Sequence, residues 1–594
     1  MKKIALIIAT ILVLPITSFA STGDSPIQWE EWTDDLFQKA KRDNKFVILD
    51  LEAVWCHWCH VMDEKTYHDP KVVELIKSKY IAVRVDQDSH PDLSNRYENY
   101  GWPATIIFGP EGNEIAKLRG YIPADRMAIL LDAVIKDPSP GPSVLPEINV
   151  KPSESAFLTS GQKEQAEIMH NAFYDKEQGG WGKGNKLIYA DNLEFAMIKA
   201  QDGDKEQEKR ALETLDKALI LQDPEWGGFY QYSDNNVWNS FHFEKIMSIQ
   251  AQYIRLYSLA YAIYGKKEYL DGAEKAASYL KEFLQSPDGA FYTSQDADVD
   301  KEIDGHAFYP LTNADRRKLG KMPRIDKNIY ARENGWAISA LTTLYSVSGN
   351  QEYLDAAIRT AQWIINNRKL PGGGFKHGEK ELSRPFLGDT LAMGQAFLNL
   401  YEVTGNRAWL TEAINAADFI MKDFGDSQNG GFIARVQDKN AAGVFQKPVK
   451  QLDENAAVAR LAIRLFYYTG EKKFKSKAEL AMKYLASSDI INNKTLLSGI
   501  LIADREMAQE PVHVTVVGAK NDRKAKELFA AAIKLPAIYR RIEWWDITEG
   551  PLPNPDVEYP QLGKAAAFAC AGTTCSFPVF EPAKIADQVN RTRG

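Results

Sequence analysis

Two cysteines three residues apart, Cys56 and Cys59, carry the most reactive side-chain chemistry in this sequence of 594 residues. They lie within Trp55-Cys56-His57-Trp58-Cys59-His60. The thiolate, not the thiol, is the nucleophile toward sulfur, so the surroundings decide whether such a pair reacts. Upstream, Phe46-Val47-Ile48-Leu49-Asp50-Leu51 reads as a buried strand, and an amphipathic stretch starts at Val61. Strand, turn and helix in that order place the first sulfur at a helix N-terminus. There, unpaired N–H groups and the helix dipole favour negative charge. Cysteines in C-x-x-C motifs have pKa values lowered to roughly 3.5–7.5. Cys56 is therefore the expected nucleophile and Cys59 its resolving partner. His57, between them, would stabilise a Cys56 thiolate when protonated and make the disulfide more oxidising.

Other chemistries fit the same residues. C-x-x-C-H is also a haem c attachment pattern, though the flanking strand and helix have no part in a haem site. Zinc favours thiolates and imidazoles, so Cys56, Cys59, His57 and His60 form a ligand set by type alone. Neighbouring residues on a helix point in different directions, which keeps all four from one ion. An inert disulfide is the third alternative. The redox-active dithiol calls for no cofactor and no resident metal, and His60 reads equally well as a solvated or capping residue.

The length suggests three or four domains. A hydrophobic fraction of 44% and a charged fraction of 26% belong to a soluble globular chain. The net charge of -8, without a dense Lys/Arg run, argues against a nucleic-acid partner. Residues 1–20 read as a signal peptide: Lys2 and Lys3, an apolar run over residues 4–14, then Ser18-Phe19-Ala20. That run is shorter than the ~20 residues a membrane span requires. The expectation is a mature chain starting near Ser21, exported (most simply to a bacterial periplasm), soluble and without stable membrane insertion after cleavage. The other two cysteines, Cys570 and Cys575, form a second tight pair near the opposite end. In an oxidising compartment they would close a small disulfide loop, or exchange electrons with Cys56 and Cys59 if the termini meet.

Residues 21–137 alternate helix and strand. Helical stretches are expected over 32–42, 57–62, 70–79 and 123–135, and strands over 46–53, 80–86, 104–108 and 114–119. This unit resembles the thioredoxin fold. Trp55 precedes the motif as an aromatic does in thioredoxins. Pro103, just before a strand, holds the position of the family's cis-proline, which exposes backbone for substrate pairing. Asp50, six residues before Cys56, aligns with the buried acid that moves the proton of the resolving thiol.

A linker over 138–152, rich in proline and serine at its start, leads to an all-helical unit over 153–510. Amphipathic pairs are expected at 245–264 with 267–284, 336–347 with 352–367, 391–404 with 407–424, and 454–469 with 472–485. Glycine-aromatic punctuation repeats between them: Gly180-Trp181, Gly228-Phe229, Asp288-Gly289-Ala290-Phe291, Gly374-Phe375 and Gly431-Phe432. Each reads as a helix C-cap glycine followed by an aromatic that opens a short hairpin. The pattern resembles an α/α toroid of six helical hairpins, a fold that hosts glycosidases and sugar epimerases. Polar candidates gather after the hairpins: His242 and Glu244, Asp296 and Asp298, Asp389, and Asp453. Glycoside hydrolysis would use two of the carboxylic groups, roughly 5–10 Å apart. Epimerisation would use two bases, His242 and His377. As N-caps, Asp389 and Asp453 need no ligand.

Residues 511–594 return to α/β texture, with strands expected over 513–518 and 539–545 around a helix over 522–534. Together the pieces resemble the thioredoxin-domain proteins of the spermatogenesis-associated protein 20 type. The carriers are Cys56-His57-Trp58-Cys59-His60-Val61-Met62, His242-Phe243-Glu244-Lys245, Gln295-Asp296-Ala297-Asp298, and Cys570 with Cys575-Ser576-Phe577-Pro578. The resemblance implies a thioredoxin-like domain fused to a six-hairpin toroid, with a small α/β C-terminal segment. The leading expectation is a periplasmic thiol–disulfide oxidoreductase acting on a protein thiol or disulfide partner, its toroid a site for a glycan or protein ligand. A carbohydrate-active enzyme with an accessory thioredoxin domain, or a non-catalytic binding module, is the alternative.

Overall fold

The computed structural model describes residues 25–145, 148–380, 384–572 and 574–593; the expected signal peptide lies outside them. The N-terminal unit is a four-stranded sheet with helices on both faces. Its elements are α1 (Leu36–Asp43), β1 (Phe46–Glu52), α2 (His57–Lys65), α3 (Pro70–Lys79), β2 (Tyr80–Asp86), α4 (Pro91–Tyr97), β3 (Ala104–Phe108), β4 (Glu114–Arg119) and α5 (Ala124–Lys136). The sheet order is β2-β1-β3-β4, with β1 parallel to β2 and antiparallel to β3. This is the thioredoxin-like arrangement. Val47, Ile48 and Leu49 are fully buried because helices cover both faces of β1.

The helical unit closes on itself. Its inner wall is six helices, Ala190–Gln201, Met247–Tyr264, Ala331–Ser348, Leu387–Thr404, Leu452–Thr469 and Ser498–Ala508. Each packs on the next, and the last packs on the first. Outer helices Lys205–Ala218, Lys267–Tyr279, Gln351–Arg368, Arg407–Phe424 and Lys472–Leu485 back five of them, and Ser160–Ala172 backs the sixth. This is an (α/α)6 toroid, and one inner helix, Leu387–Thr404, is a nearly continuous apolar cylinder: Leu391 to Leu398 are buried apart from Gln395.

Four inner helices end on a left-handed glycine, Gly265, Gly349, Gly405 or Gly470. These are the C-cap glycines. The glycines of the glycine-aromatic repeats instead sit in the turns that follow the outer helices. There the aromatic bridges back to the outgoing chain, as in Gln222 with Phe229 and Gly425 with Phe432. A polar residue at the fourth position of the next inner helix holds four of the five aromatics. Gln250, Asn334 and Asn455 accept from the N–H and donate to the carbonyl of Phe229, Phe291 and Phe432. Thr390 accepts from the N–H of Phe375. The repeat is thus a backbone clamp as well as a turn, which leaves few buried polar groups unpaired.

The C-terminal segment is more than a pair of strands. Val512–Val517 pairs in parallel with Arg540–Trp545 and antiparallel with Ala566–Ala571, which pairs with Thr574–Cys575. Strand order and directions repeat those of the N-terminal sheet. Arg523–Ile533 and Ile585–Arg593 are its helices.

The two sheets sit at opposite poles of the toroid. The N-terminal unit meets the starts of the inner helices: Gln451 donates to the Asn95 carbonyl, and His377, whose ring stacks on Tyr330 at 4.1 Å, to that of Asp88. The C-terminal unit meets their ends, where Lys520 donates to the Gly405 carbonyl and Asn554 to that of Tyr467. Inner helices of 18 residues are about 27 Å long. The two cysteine pairs therefore do not meet within one chain, and direct electron exchange between them is ruled out by distance.

Candidate functional site between the N-terminal unit and the toroid

Cys56 is the N-cap of α2 and its sulfur accepts from the Cys59 N–H at 3.2 Å. The two cysteines form a disulfide, and each is almost completely buried. Ala53, Trp55, Trp102 and Ile246 pack around the pair; Ile246 comes from the toroid. The Trp102–Pro103 peptide bond is cis, as expected for the residue before β3. Asp50, in the middle of β1, is buried and accepts from Arg84 Nε at 3.0 Å. Burial raises its pKa and Arg84 opposes the rise.

The toroid supplies the opposite wall. His57 Nδ1 lies 2.6 Å from Asp298 Oδ2, and His60 lies 3.7 Å from Asp296 and 3.9 Å from Asp298. Arg324 donates to the Val54 carbonyl at 2.8 Å. The hydrogen bond to Asp298 raises the His57 pKa above 6.5. Burial alone would lower that of His60, but Asp298 and Asp296 outweigh it. Asp298 is held well below the usual carboxylate range, since its bonds to the two histidines overcome desolvation. Glu244, buried with one oxygen unpaired, is pushed up to about 7 by burial. His242 stacks on Tyr232 at 4.1 Å and stands 4.0 Å from Glu244, its pKa lowered by burial.

Four of the toroid candidates, His242, Glu244, Asp296 and Asp298, thus line the side that faces Cys56. The other two do not join them. Asp389 is fully buried; it accepts from the Arg332 N–H at 2.9 Å and lies 2.8 Å from His377 Nδ1. It caps the neighbouring helix, not its own. His377 Nε2 lies 2.6 Å from the Asp88 carbonyl oxygen, so both ring nitrogens face acceptors and the ring is an imidazolium when both bonds form. That engagement removes His377 from the epimerisation pair. Asp453 stands exposed in the first turn of its helix, where its carboxylate accepts from Glu454 N–H.

Asp88 and Arg324 also belong to the site, and no local sequence pattern marks them. Asp88 accepts from Trp55 Nε1 at 2.7 Å and ties the Cys56–Cys59 turn to His377. For a metal, one ligand atom each from His60, Asp296 and Asp298 lie within 4.8 Å of one another. Asp298 Oδ2 is engaged by His57, so an ion there would compete with that contact.

Human spermatogenesis-associated protein 20 is 22% identical over 94% of this chain and 89% of its own length. The resemblance runs along nearly the whole chain. The mouse spermatogenesis-associated protein 20 is 27% identical over 47% of this chain and 40% of its own. Residues 18–134 match the family model described as Protein of unknown function, DUF255 (Thioredox_DsbH). Residues 235–488 match the one described as Beta-L-arabinofuranosidase, GH127 catalytic domain. The thiol:disulfide interchange protein DsbD of Campylobacter jejuni (strain RM1221) is 31% identical over 16% of this chain and 17% of its own. Among solved structures, a D-mannose isomerase aligns at 14% identity over 59% of this chain and 96% of its own, with a TM-score of 0.45. The likeness to spermatogenesis-associated protein 20 thus spans both the Cys56–Cys59 turn and the toroid wall that faces it. No helix among the described residues is long and apolar enough to cross a membrane.

Proposed function

We propose that this protein is an exported, periplasmic thiol–disulfide oxidoreductase whose reactive pair is Cys56 and Cys59. In the reducing direction, the Cys56 thiolate attacks a substrate disulfide and one substrate sulfur leaves as thiolate. Cys59 then attacks the Cys56 sulfur of the mixed disulfide, releasing the second substrate sulfur and closing the Cys56–Cys59 bond. Asp50, its pKa raised by burial, moves the Cys59 proton, and the backbone at Pro103 aligns the substrate chain.

The observation that carries this reading is the position of Cys56. It caps α2 and stands next to His57, whose pKa the hydrogen bond to Asp298 of the toroid raises above 6.5. Helix N-terminus and imidazolium both favour the thiolate. The toroid is then part of the redox site, and His242 and Glu244 extend its wall toward the substrate. An insulin-reduction assay tests the reading: wild type is active, while Cys56→Ser and Cys59→Ser fall to background. Equal activity in all three overturns it.

A second reading rests on the toroid rim. Burial pushes Asp191 up to about 6 and Glu244 to about 7, and glycoside hydrolysis needs one carboxyl group protonated near neutral pH. The match to a GH127 catalytic domain supports a carbohydrate-active enzyme with an accessory thioredoxin domain. It predicts sugar turnover that survives loss of both N-terminal cysteines and fails in Glu244→Gln.

A further inference from the structure

The disulfide at the other pole, Cys570–Cys575, is asymmetric. Cys570 is 4% exposed, on a strand inside the sheet. Cys575, its cross-strand neighbour, is half-buried and lines a surface groove of about 530 Å³ with Tyr559, Phe568, Ser576 and Phe577. The Phe577 ring stands 91% exposed beside it. Attack on a disulfide must come along an open approach to one sulfur, and this groove opens onto Cys575.

The other sulfur has a group placed to receive charge. Tyr559 Oη lies 3.7 Å from Cys570 Sγ and donates to Thr515 Oγ1 at 2.8 Å. The ring is fixed by packing against Phe568, at 5.3 Å between centroids, and Trp545, at 6.0 Å. A Cys570 thiolate would draw that hydroxyl hydrogen to itself, and the Thr515 hydroxyl could donate to Tyr559 Oη in its place. A leaving thiol stabilised as thiolate departs faster. A clip that only closed a hairpin would need neither the groove nor the phenol.

We propose that Cys570–Cys575 is a second thiol-exchange site, at which the dithiol of a partner protein is oxidised through attack on Cys575. A partner thiolate bonds to Cys575 Sγ, the Cys575–Cys570 bond breaks, and Cys570 leaves as a thiolate hydrogen-bonded by Tyr559. The partner's second thiolate then attacks the partner sulfur of the mixed disulfide and releases Cys575. The partner loses two electrons and gains a disulfide; this protein gains two electrons, and the two partner protons end on Cys570 and Cys575. The site differs from the N-terminal one, having no C-x-x-C turn and no helix N-terminus at its sulfur.

The test uses the full chain carrying Cys56→Ser and Cys59→Ser, so that only this pair reports. The native protein is incubated with millimolar reduced glutathione, quenched in acid, alkylated and mapped by peptide mass spectrometry. Circular dichroism on the same samples follows the fold. The expected result is a glutathione adduct on Cys575 and an alkylated Cys570 in a folded protein. Tyr559→Phe keeps the ring packing and should slow adduct formation about tenfold, the size of one hydrogen bond to a charged group. The proposal is overturned if the bond survives until the protein is denatured, if the adduct falls on Cys570, or if Tyr559→Phe reacts at the parental rate.

Discussion

The sheets at the two poles of the toroid share strand order and direction, yet they do different things where their first strand ends. In the N-terminal unit that end runs into Cys56 and Cys59. In the C-terminal unit it runs into Gly518-Ala519-Lys520, and Lys520 reaches the Gly405 carbonyl at the end of an inner helix. The two units meet opposite ends of the inner-helix dipoles. The inner helices start with Asp191, Glu333, Asp389, Asp453 and Glu454 in their first turns. They end against Lys520 and against Arg540, which pairs with Glu402 at 2.7 Å. Acids at helix starts and cations at helix ends are what the dipole favours. The same topology therefore carries a Cys-x-x-Cys turn at one pole and a charged clamp at the other, and any chemistry comes from the residues that face each pole.

The docking of the two units can be broken selectively, and the contrast predicts unequal costs. His377→Ala removes one partner of a buried pair and leaves Asp389 buried without it, at a cost of about 3 kcal/mol. Denaturant unfolding should show that loss. Phe445 comes next: from a toroid loop it packs against Trp32, Phe37 and Phe108 of the N-terminal unit. Phe445→Ala should loosen that unit by about 2 kcal/mol, read as faster amide exchange in α1 and β3 with the C-terminal sheet unchanged. Gly443 beside it has φ +51°, and a Cβ there would lie 2.1 Å from the Gly112 oxygen, so Gly443→Ala should act in the same direction.

A pH series gives a smaller effect with a defined sign. His57 and His60 have folded-state pKa values raised above 6.5 by Asp298 and Asp296. Their contribution is complete below the unfolded value and disappears as pH rises through the folded ones. Tm should therefore fall as pH climbs past 6.5, and the fall should shrink in Asp298→Asn. Smallest of all, Lys520→Met removes a partly exposed cation from a helix end and should cost about 0.5 kcal/mol, with the reactivity of Cys56 unchanged. If Lys520→Met costs more than His377→Ala, the proposed asymmetry between the poles is wrong.

Much of the N-terminal unit is legible from sequence because its strands are unbroken. The strand expected over 46–53 ends one residue earlier, and those over 80–86 and, after the Pro-Glu-Gly-Asn turn, 114–119 fall where the structure puts them. Helix α4 escapes notice, since Pro91-Asp92-Leu93-Ser94-Asn95 reads as a turn-rich loop. Inner helices start earlier than their apolar period suggests, at 331, 387 and 452 rather than 336, 391 and 454. Their first turns, such as Ala331-Arg332-Glu333-Asn334-Gly335, are polar because they face the rim. The amide four residues into three of these helices is the signal that could have fixed the starts. The wall opposite Cys56 could not be read locally, since Asp298 reaches His57 across 241 positions of chain. The matching sheet order at the far pole was equally hidden, because its third strand, Ala566–Ala571, is a run of small residues.

Cys56 is enclosed on one side by its own fold and on the other by the Asp296-Ala297-Asp298 loop, with Trp58 standing 46% exposed and tilted against Tyr121 at the margin. On the proposed function, a substrate would have to reach that sulfur past both walls, so a thin unfolded strand or a small thiol should be favoured over a bulky folded protein. Such selectivity would belong to the seam between two domains and should be lost if they were separated.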